Sequence, residues 1–516
     1  MKCFLILSTL LCLSFAGFSQ EKMIVYFSTK EVISKSEISA RYTDRALDRR
    51  KRNSVEFSYK DLPVSKVYLQ ELGESVTIKH VSKWMNAVLV ESTIKADDLK
   101  NTFSFIKEIE VIGRPRVQTP RKDIDFQLDK SLNYGPADSQ AVQISVPCLH
   151  DAGYTGSGVF LAVLDAGFNG MDTISHFDSV YLQGRLLDEF DFVGGGSVYQ
   201  YSGHGTAVSS CIVGNESGQD QYIGTAKDVD LALYVTEDVS SETQVEEFNL
   251  AVALERCDSL GVDVVNISLG YKNFDDTLEN HPYSSMNGQT TISAIACSSA
   301  AARGMIVCTS AGNGGPGTIS TPCDADSILC VGAIDRFDGH AWFSSVGPSF
   351  DGRVKPDVAA RGGESWVIFS DGSRGMANGT SFSSPIMAGA VACLVQANPT
   401  KTTDEIIDAV RENSSQYMNP DNLIGYGIPN FCQPFASLLE DEIVSFELAP
   451  NPASTSVEII AEETPSKLLL IDQFGRVVYT EENTKALDLN SIDPGAYYVR
   501  VVFDQTVETK SLIIAR

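Results

Sequence analysis

Basic residues are scarce in this 516-residue chain: 40 Lys and Arg stand against 67 Asp and Glu, a formal charge of −27 with a pI near 4.6. So acidic a chain is repelled by the phosphate backbone and by anionic membrane surfaces, which excludes nucleic acid as its main partner. Long apolar runs are scarce too. Beyond the first twenty residues no stretch approaches the roughly 20 apolar residues of a spanning helix, and the composition suits a soluble extracellular protein. Histidines number only six, so proton transfer near neutral pH has few side chains to draw on. Of eleven cysteines, Cys3 and Cys12 lie in the apolar start, leaving nine, an odd number that keeps at least one thiol unpaired within the chain. None of the nine sits in a Gly-rich strand-to-helix turn, which argues against a cysteine nucleophile. Cys323 and Cys330 share one short turn-bearing segment and are candidates for a pair in an oxidising compartment. Cys211, Cys297, Cys308 and Cys393 stand in apolar contexts and read as buried small hydrophobes.

What is present begins with an export signal. Met1-Lys2, the apolar stretch Cys3 to Phe18, and the small residues Gly17 and Ser19 predict a signal peptide over residues 1–19, cleaved before Gln20. The apolar core is too short for an anchor, and Cys12 lacks the preceding small residue that lipoprotein processing requires. The total length exceeds what one core supports, so two to four domains are expected.

Four separated stretches carry chemistry. Asn378-Gly379-Thr380-Ser381-Phe382-Ser383-Ser384-Pro385 runs into the apolar, helix-like Ile386 to Val395, presenting the Ser381 hydroxyl at a helix start as a candidate nucleophile. A plain helix cap is the alternative. Val159 to Leu164 is a continuous apolar run ending in Asp165-Ala166-Gly167, which reads as a strand of a parallel sheet with a carboxylate at its carboxyl end. Ser202-Gly203-His204-Gly205-Thr206 sets a histidine between glycines, leading into Val208 to Val213, with a structural histidine as the alternative. Val307 to Ser310 leads into Ala311-Gly312-Asn313-Gly314-Gly315, an amide at a strand end. A serine hydroxyl needs a base to take its proton and a third group to orient that base.

These blocks, in this order, resemble the signatures of the subtilisin-like serine proteases, the subtilases. The resemblance implies that Ser381 attacks the peptide carbonyl, that His204 acts as general base and then general acid, and that Asp165 orients the imidazolium. Asn313, with the backbone N–H of Ser381, would form the oxyanion hole. Asp263 to Gly270 resembles the family strand whose Ser268-Leu269-Gly270 end pairs with the substrate, Ala311-Gly312 would wall the pocket for the residue before the scissile bond, and Lys355-Pro356-Asp357-Val358 matches the block preceding the serine. Departures are Ala166 where Ser or Thr is usual, Ala207 in place of a second histidine, Phe382 in place of Met, and Ala359-Ala360-Arg361-Gly362 in place of Ala-Pro-Gly. They touch fine geometry and specificity while leaving every triad member in place.

In chain order, residues 20–139 read as a small α+β module and linker, by resemblance a propeptide that assists folding and blocks the cleft. Within it, Arg49-Arg50-Lys51-Arg52 reads as a solvated helix face ahead of a nucleic-acid patch or a processing site. The Pro- and Gly-punctuated stretch Arg114 to Asp138 is the expected cleavage region. Residues 140–437 alternate apolar runs near 159–164, 231–235, 262–267 and 305–309 with helix-length segments such as Thr243 to Ser259 and Gln289 to Arg303. That pattern predicts an α/β fold, a mostly parallel sheet flanked by helices. The resemblance implies no required cofactor. Calcium is the ion subtilases often bind, and Asp275, Asp276 and Glu279 in the segment Tyr271 to Asn287 are its candidates, with a solvated loop as the plainer reading and no metal ligand assigned.

Residues 441–516 predict short strands at Ser456 to Ile460, Lys467 to Asp472, Arg476 to Thr480, Ala496 to Phe503 and Thr509 to Ile514, a small β-sandwich. Pro450-Asn451-Pro452-Ala453, the block of Asp472, Gly475 and Arg476, and Pro494 to Val499 resemble the C-terminal sorting domain of the type IX secretion system. A carbohydrate-binding or other accessory sandwich is the alternative. The whole reads as a serine endopeptidase made as a zymogen and secreted or displayed at the cell surface, with protein or peptide substrates, its own propeptide and the export machinery as partners. The alternative is a weak or inactive subtilase fold serving as a surface binding or processing partner.

Overall fold

The computed structural model describes residues 20–113, 134–218, 221–317, 319–432, 446–461, 464–472, 477–503 and 507–515. The expected signal peptide and most of the linker, 114–133, lie outside the described residues. The chain divides into two compact units, Met1–Phe435 and Ala436–Arg516.

The first unit opens with an antiparallel sheet. Its strands are β1 (Glu21–Phe27), β2 (Thr77–Ser82), β3 (Ala87–Ser92) and β4 (Ile106–Ile112), in the order β2-β3-β1-β4. Between and after β1 and β3 come the helices α1 (Lys35–Ser39), α2 (Asp44–Arg52), α3 (Lys66–Gly73) and α4 (Ala96–Thr102). Side chains alternate across the sheet, as the two-residue repeat of a strand demands. Met23, Val25, Val88 and Val90 pack with Leu72 and Leu99 of the sheet's own helices, while Ile24, Ala87 and Leu89 pack with Val245 and Phe248 of a later helix. The two central strands, β1 and β3, are thus covered on both faces.

That later helix belongs to a seven-stranded sheet. Its strands are β5 (Phe160–Asp165), β6 (Leu186–Asp191), β7 (Asp230–Val235), β8 (Val264–Ile267), β9 (Ile306–Ser310), β10 (Leu329–Ile334) and β11 (Val358–Arg361). All neighbours are parallel, in the order β11-β10-β9-β8-β5-β7-β6. The longer helices are α5 (His204–Val213), α6 (Gln244–Leu260), α7 (Ile292–Ala301), α8 (Thr380–Ala397) and α9 (Thr403–Glu412). Every residue of β5 is buried, as the continuous apolar run required. Thr243 and Glu246 close a capping box on α6, and Gly261 ends it in the left-handed conformation. The expected α/β class is what forms. Three strands, β6, β10 and β11, have no counterpart among the apolar runs. β6, Leu-Leu-Asp-Glu-Phe-Asp, lies at the sheet edge with most of its side chains accessible, so it needs no apolar face.

The basic stretch requires a correction. Arg49 and Arg50 do lie on a helix, α2, but they are 1% and 3% exposed rather than solvated. Helical spacing tells nothing of what covers a helix. Here the cover is the carboxylate of Asp258 on α6, 2.6 Å from Arg49 Nη2 and 2.8 Å from Arg50 Nη2.

Two disulfides form among the described residues. Cys323–Cys330 is the anticipated short pair, and Cys148–Cys432 joins residues 284 apart in sequence. Cys211, Cys257, Cys297, Cys308 and Cys393 are buried free thiols.

The second unit holds β12 (Glu447–Ala449), β13 (Ser456–Ile460), β14 (Lys467–Asp472), β15 (Val477–Glu482), β16 (Ala486–Asp488), β17 (Gly495–Val502) and β18 (Val507–Ile514). They form two sheets, β12-β13-β16 and β15-β14-β17-β18. Val457, Ile459 and Leu487 of one meet Leu468, Leu470, Val499 and Val501 of the other in a common core, the predicted sandwich. The anticipated turn at Gln473 to Gly475, with Arg476, lies outside the described residues.

Candidate active site

Asp165 is the last residue of β5 and fully buried. Its Oδ1 stands 2.8 Å from Nδ1 of His204 and also accepts the N–H of Ala166 at 2.7 Å. A carboxylate only accepts, so Nδ1 carries the proton and Nε2 is left as the basic nitrogen. Oδ2 of Asp165 is buried with no hydrogen-bond partner among the described residues.

His204 opens α5, and the glycines around it are set by packing. A Cβ at Gly203 would stand 2.5 Å from Cβ of Ser370, and one at Gly205 would stand 2.5 Å from the Gly167 carbonyl. The Gly205 N–H donates to that same carbonyl at 2.9 Å, so the helix start is pressed against the turn after Asp165. The imidazole side chain keeps 34% of its surface accessible. One side of the Asp–His pair is therefore dry and the other open.

Ser381 stands in the first turn of α8. Its Oγ donates to the Ser268 carbonyl at 3.3 Å, and the Ser268 hydroxyl donates back to the Ser381 carbonyl at 2.8 Å. Behind them Asn266 donates to Ser268 Oγ at 3.0 Å and accepts from Ser384 Oγ at 2.8 Å. The first turn of α8 is thus bolted to the end of β8. The ring of Phe382, the next residue, lies 6.1 Å from that of His204, which brings the helix start to the imidazole.

Asn313 follows β9. Its Oδ1 accepts the N–H of Thr380 at 2.9 Å and the Thr380 hydroxyl at 3.0 Å, and that hydroxyl accepts the Gly312 N–H at 3.1 Å. With the oxygen taken, Nδ2 is the end of the amide free to donate outward.

Ser268-Leu269-Gly270 and Ala311-Gly312 continue β8 and β9 side by side, joined where Ser310 Oγ donates to the Leu269 carbonyl at 3.2 Å. Between them sits Ser320, which sequence reasoning missed. Its Cβ lies 3.0 Å from where a Cβ on Gly270 would be, and its Oγ 2.8 Å from where one on Gly312 would be. Gly312 also holds φ at +106°, a conformation open to glycine. No motif marks Ser320; proximity alone reveals it.

Residues 156–427 match the sequence model of the subtilase family, Peptidase S8. The chain belongs to the subtilase family. Residues 22–125 match the Peptidase S8 propeptide domain of Bacteroidota, and residues 447–515 a secretion-system C-terminal sorting domain. The alkaline protease of Alkalihalobacillus alcalophilus is 28% identical over 355 residues, 66% of this chain and 84% of that protein. Subtilisin Savinase of Lederbergia lenta is 30% identical over 291 residues, 56% of this chain and 94% of that protein. The crystal structure of MycP1 from Mycobacterium smegmatis aligns with a TM-score of 0.47 at 22% identity, over 63% of this chain and 89% of that one. This subtilase is a secreted serine protease made as a zymogen, and the sorting domain assigns it to the exterior or the cell surface.

Where the chain departs from the family pattern, the subtilase site shows the consequence. Ala166 brings no hydroxyl to the solitary Oδ2 of Asp165, and Ala207 is buried within α5. Arg361, at the end of β11, donates from Nε to the Gly363 carbonyl at 2.6 Å. Asp357 of the block before the serine is buried beneath β10, where it accepts the Cys330 N–H at 2.9 Å. Burial works against its charge, but Lys355 and Arg411 overcome this and hold it below the usual carboxylate range.

The three calcium candidates do not gather into one group of side chains. Asp275 accepts the Glu242 N–H, Asp276 the Leu278 N–H, and Glu279 the Gly113 N–H. Each carboxylate is committed to a backbone donor, and no group of metal-binding side chains is found among the described residues.

Proposed function

We propose that Asp165, His204 and Ser381 form the catalytic triad of a serine endopeptidase, with Asn313 Nδ2 and the Ser381 N–H as the oxyanion hole. The observation that carries this reading is the 2.8 Å contact of His204 Nδ1 with a carboxylate fully removed from water. Asp165 fixes the tautomer and stabilises the imidazolium that forms when Nε2 takes the Ser381 proton. The hydroxyl turns from the Ser268 carbonyl to the imidazole as substrate enters, and Oγ attacks the peptide carbonyl. Asn313 and the Ser381 N–H receive the negative charge that develops on the carbonyl oxygen, and His204 then protonates the leaving amine. The acyl-enzyme is hydrolysed by water activated at the same nitrogen.

The extended substrate pairs with Ser268-Leu269-Gly270, and the side chain before the scissile bond enters between this segment and Ala311-Gly312. Ser320 shortens that pocket and favours small side chains. The mature enzyme begins within 114–139, after removal of the propeptide, and the sorting domain directs type IX export. Mass spectrometry of protein from culture medium after fluorophosphonate labelling tests the assignment. Label on Ser381 and an N-terminus between Arg114 and Gln140 are expected. An unlabelled chain that retains Gln20 at its start would overturn it.

A further inference from the structure

Asp165 ends β5, Ser268 to Gly270 follow β8, and Ala311 to Asn313 follow β9, all at the carboxyl ends of parallel strands, while the helix starts that carry His204 and Ser381 are hydrogen-bonded to Asp165 and Ser268 there. The segment Thr43 to Asp61 meets the opposite ends of the same strands. Arg45 Nη2 donates to the Gly158 carbonyl ahead of β5 at 2.7 Å and to Asp263 ahead of β8 at 2.8 Å, and its Nη1 lies 3.6 Å from Asp230, the first residue of β7. Arg49 donates to the carbonyls of Val262, ahead of β8, and Arg303, ahead of β9. Strands of four to six residues at about 3.3 Å each hold these contacts roughly 13–20 Å from the reacting groups.

The contact is built in charge and in shape. Asp258, fully buried, receives Arg49 and Arg50 from α2, with Lys83 at 3.9 Å and Arg303 of its own domain at 3.6 Å. Glu255, one turn earlier on α6, accepts Ser82 Oγ and the N–H groups of Lys83 and Trp84. Arg52 reaches Asp263 at 3.0 Å, and Asn53 Oδ1 accepts the N–H of Thr403 at the start of α9 at 2.7 Å. Gly261 admits the helix: a Cβ there would stand 2.6 Å from the Ala46 nitrogen. Four carboxylates of one domain, Asp230, Glu255, Asp258 and Asp263, thus face five cations of the other, Arg45, Arg49, Arg50, Arg52 and Lys83. The far end of the propeptide sheet takes a separate course, leaving β4 at Gly113, whose N–H meets Glu279 in the loop after Gly270.

We propose that the rim of the catalytic sheet remote from the active site is a second docking site, whose occupant is this chain's own propeptide and whose task is retention. Resting on the reading of residues 22–125 as a propeptide, it assigns the two ends of that domain different work. The Gly113 end sits at the cleft side and governs access; the α2 end holds the domain in place once the connecting segment is cut. Removing one member of a buried, hydrogen-bonded charge pair acts chiefly on the rate of dissociation. Release therefore depends on arginines that touch no catalytic residue.

The test uses the full chain carrying Ser381→Ala and a recognition sequence for an added protease inserted within 114–133, so that cutting is independent of the chain's own activity. After cutting, size-exclusion chromatography over time follows the separation of the propeptide. The parent is expected to keep it bound, and Arg49→Gln with Arg50→Gln to release it at least about 30-fold faster. Arg45→Gln serves as a second variant, since its side chain is already 32% exposed and its loss is mild for folding; release about fivefold faster is expected. A parent that sheds its propeptide at once, or a folded Arg45→Gln protein releasing at the parent's rate, would overturn the proposal. Fluorophosphonate labelling of the chain with Ser381 intact reads the peptidase assignment separately, so failure of one is not mistaken for failure of the other.

Discussion

Thr380 donates twice to the same oxygen of Asn313, from its backbone N–H at 2.9 Å and from its hydroxyl at 3.0 Å. The amide is thereby locked with Nδ2 outward, the orientation an oxyanion donor requires. Thr380→Val keeps the shape and the N–H but removes the hydroxyl contact. We expect kcat to fall by about 10-fold with KM little changed, against about 10²–10³ for Asn313→Ala. Steady-state kinetics on a peptide amide decides; equal losses in kcat and kcat/KM mark a transition-state effect, and a pure KM effect in either variant would remove the residue from that role.

Gly270 and Gly312 line the proposed pocket. Ser320 fills the space between Gly270 and Gly312, so Ser320→Gly opens it by one hydroxymethyl group. For a substrate with Phe before the scissile bond, kcat/KM should rise about 10-fold relative to one with Ala, the scale set by small changes in an apolar pocket. An unchanged ratio would mean that the side chain enters elsewhere.

The third expectation concerns pH. Burial, reinforced by the nearby Asp275 carboxylate, pushes the carboxyl of Glu242 up to about 7. Unfolded, it titrates near 4.3. Between those values the folded chain keeps a proton that the unfolded chain has lost, so stability falls as pH rises from about 4.5 to about 7. Glu242→Gln removes that loss. The variant should gain about 1–3 kcal/mol on its parent at pH 8 compared with pH 4.5. Denaturant unfolding of the Ser381→Ala chain, with and without the second change, measures it at both pH values. The same difference at the two pH values would show that Glu242 titrates normally.

Much of the candidate site could be picked out because its residues sit in local motifs whose glycines have local reasons. Gly203 and Gly205 flank His204 because Ser370 and the turn after Asp165 leave no room for a Cβ, and that need is written beside the histidine itself. The fold was legible at β5, a buried strand that reads as an apolar run, but not at β10 and β11, which are just as buried yet short of large apolar side chains (Gly332, Ala333, Ala359, Ala360). It was illegible at β6, an edge strand with polar side chains, and at Ser320, whose importance comes from two glycines 50 and 8 residues away. The basic helix misled for the same reason. Its own sequence describes a charged surface, and only Asp258, 209 residues from Arg49, explains why that surface is dry. Cys323 and Cys330 lie close enough in sequence to suggest a bond; Cys148 and Cys432 do not.

That longer bond changes what the ends of the catalytic chain are. Cys148 precedes β5 and Cys432 follows α9, so all seven strands of the parallel sheet, along with Asp165, His204, Asn313 and Ser381, lie on one covalently closed ring. In covalent terms, residues before Cys148 and after Cys432 are extensions of that ring. A peptide-bond cut on either side of the ring, including the maturation cut proposed within 114–139, leaves the ring whole and gives no strand of the sheet a loose end.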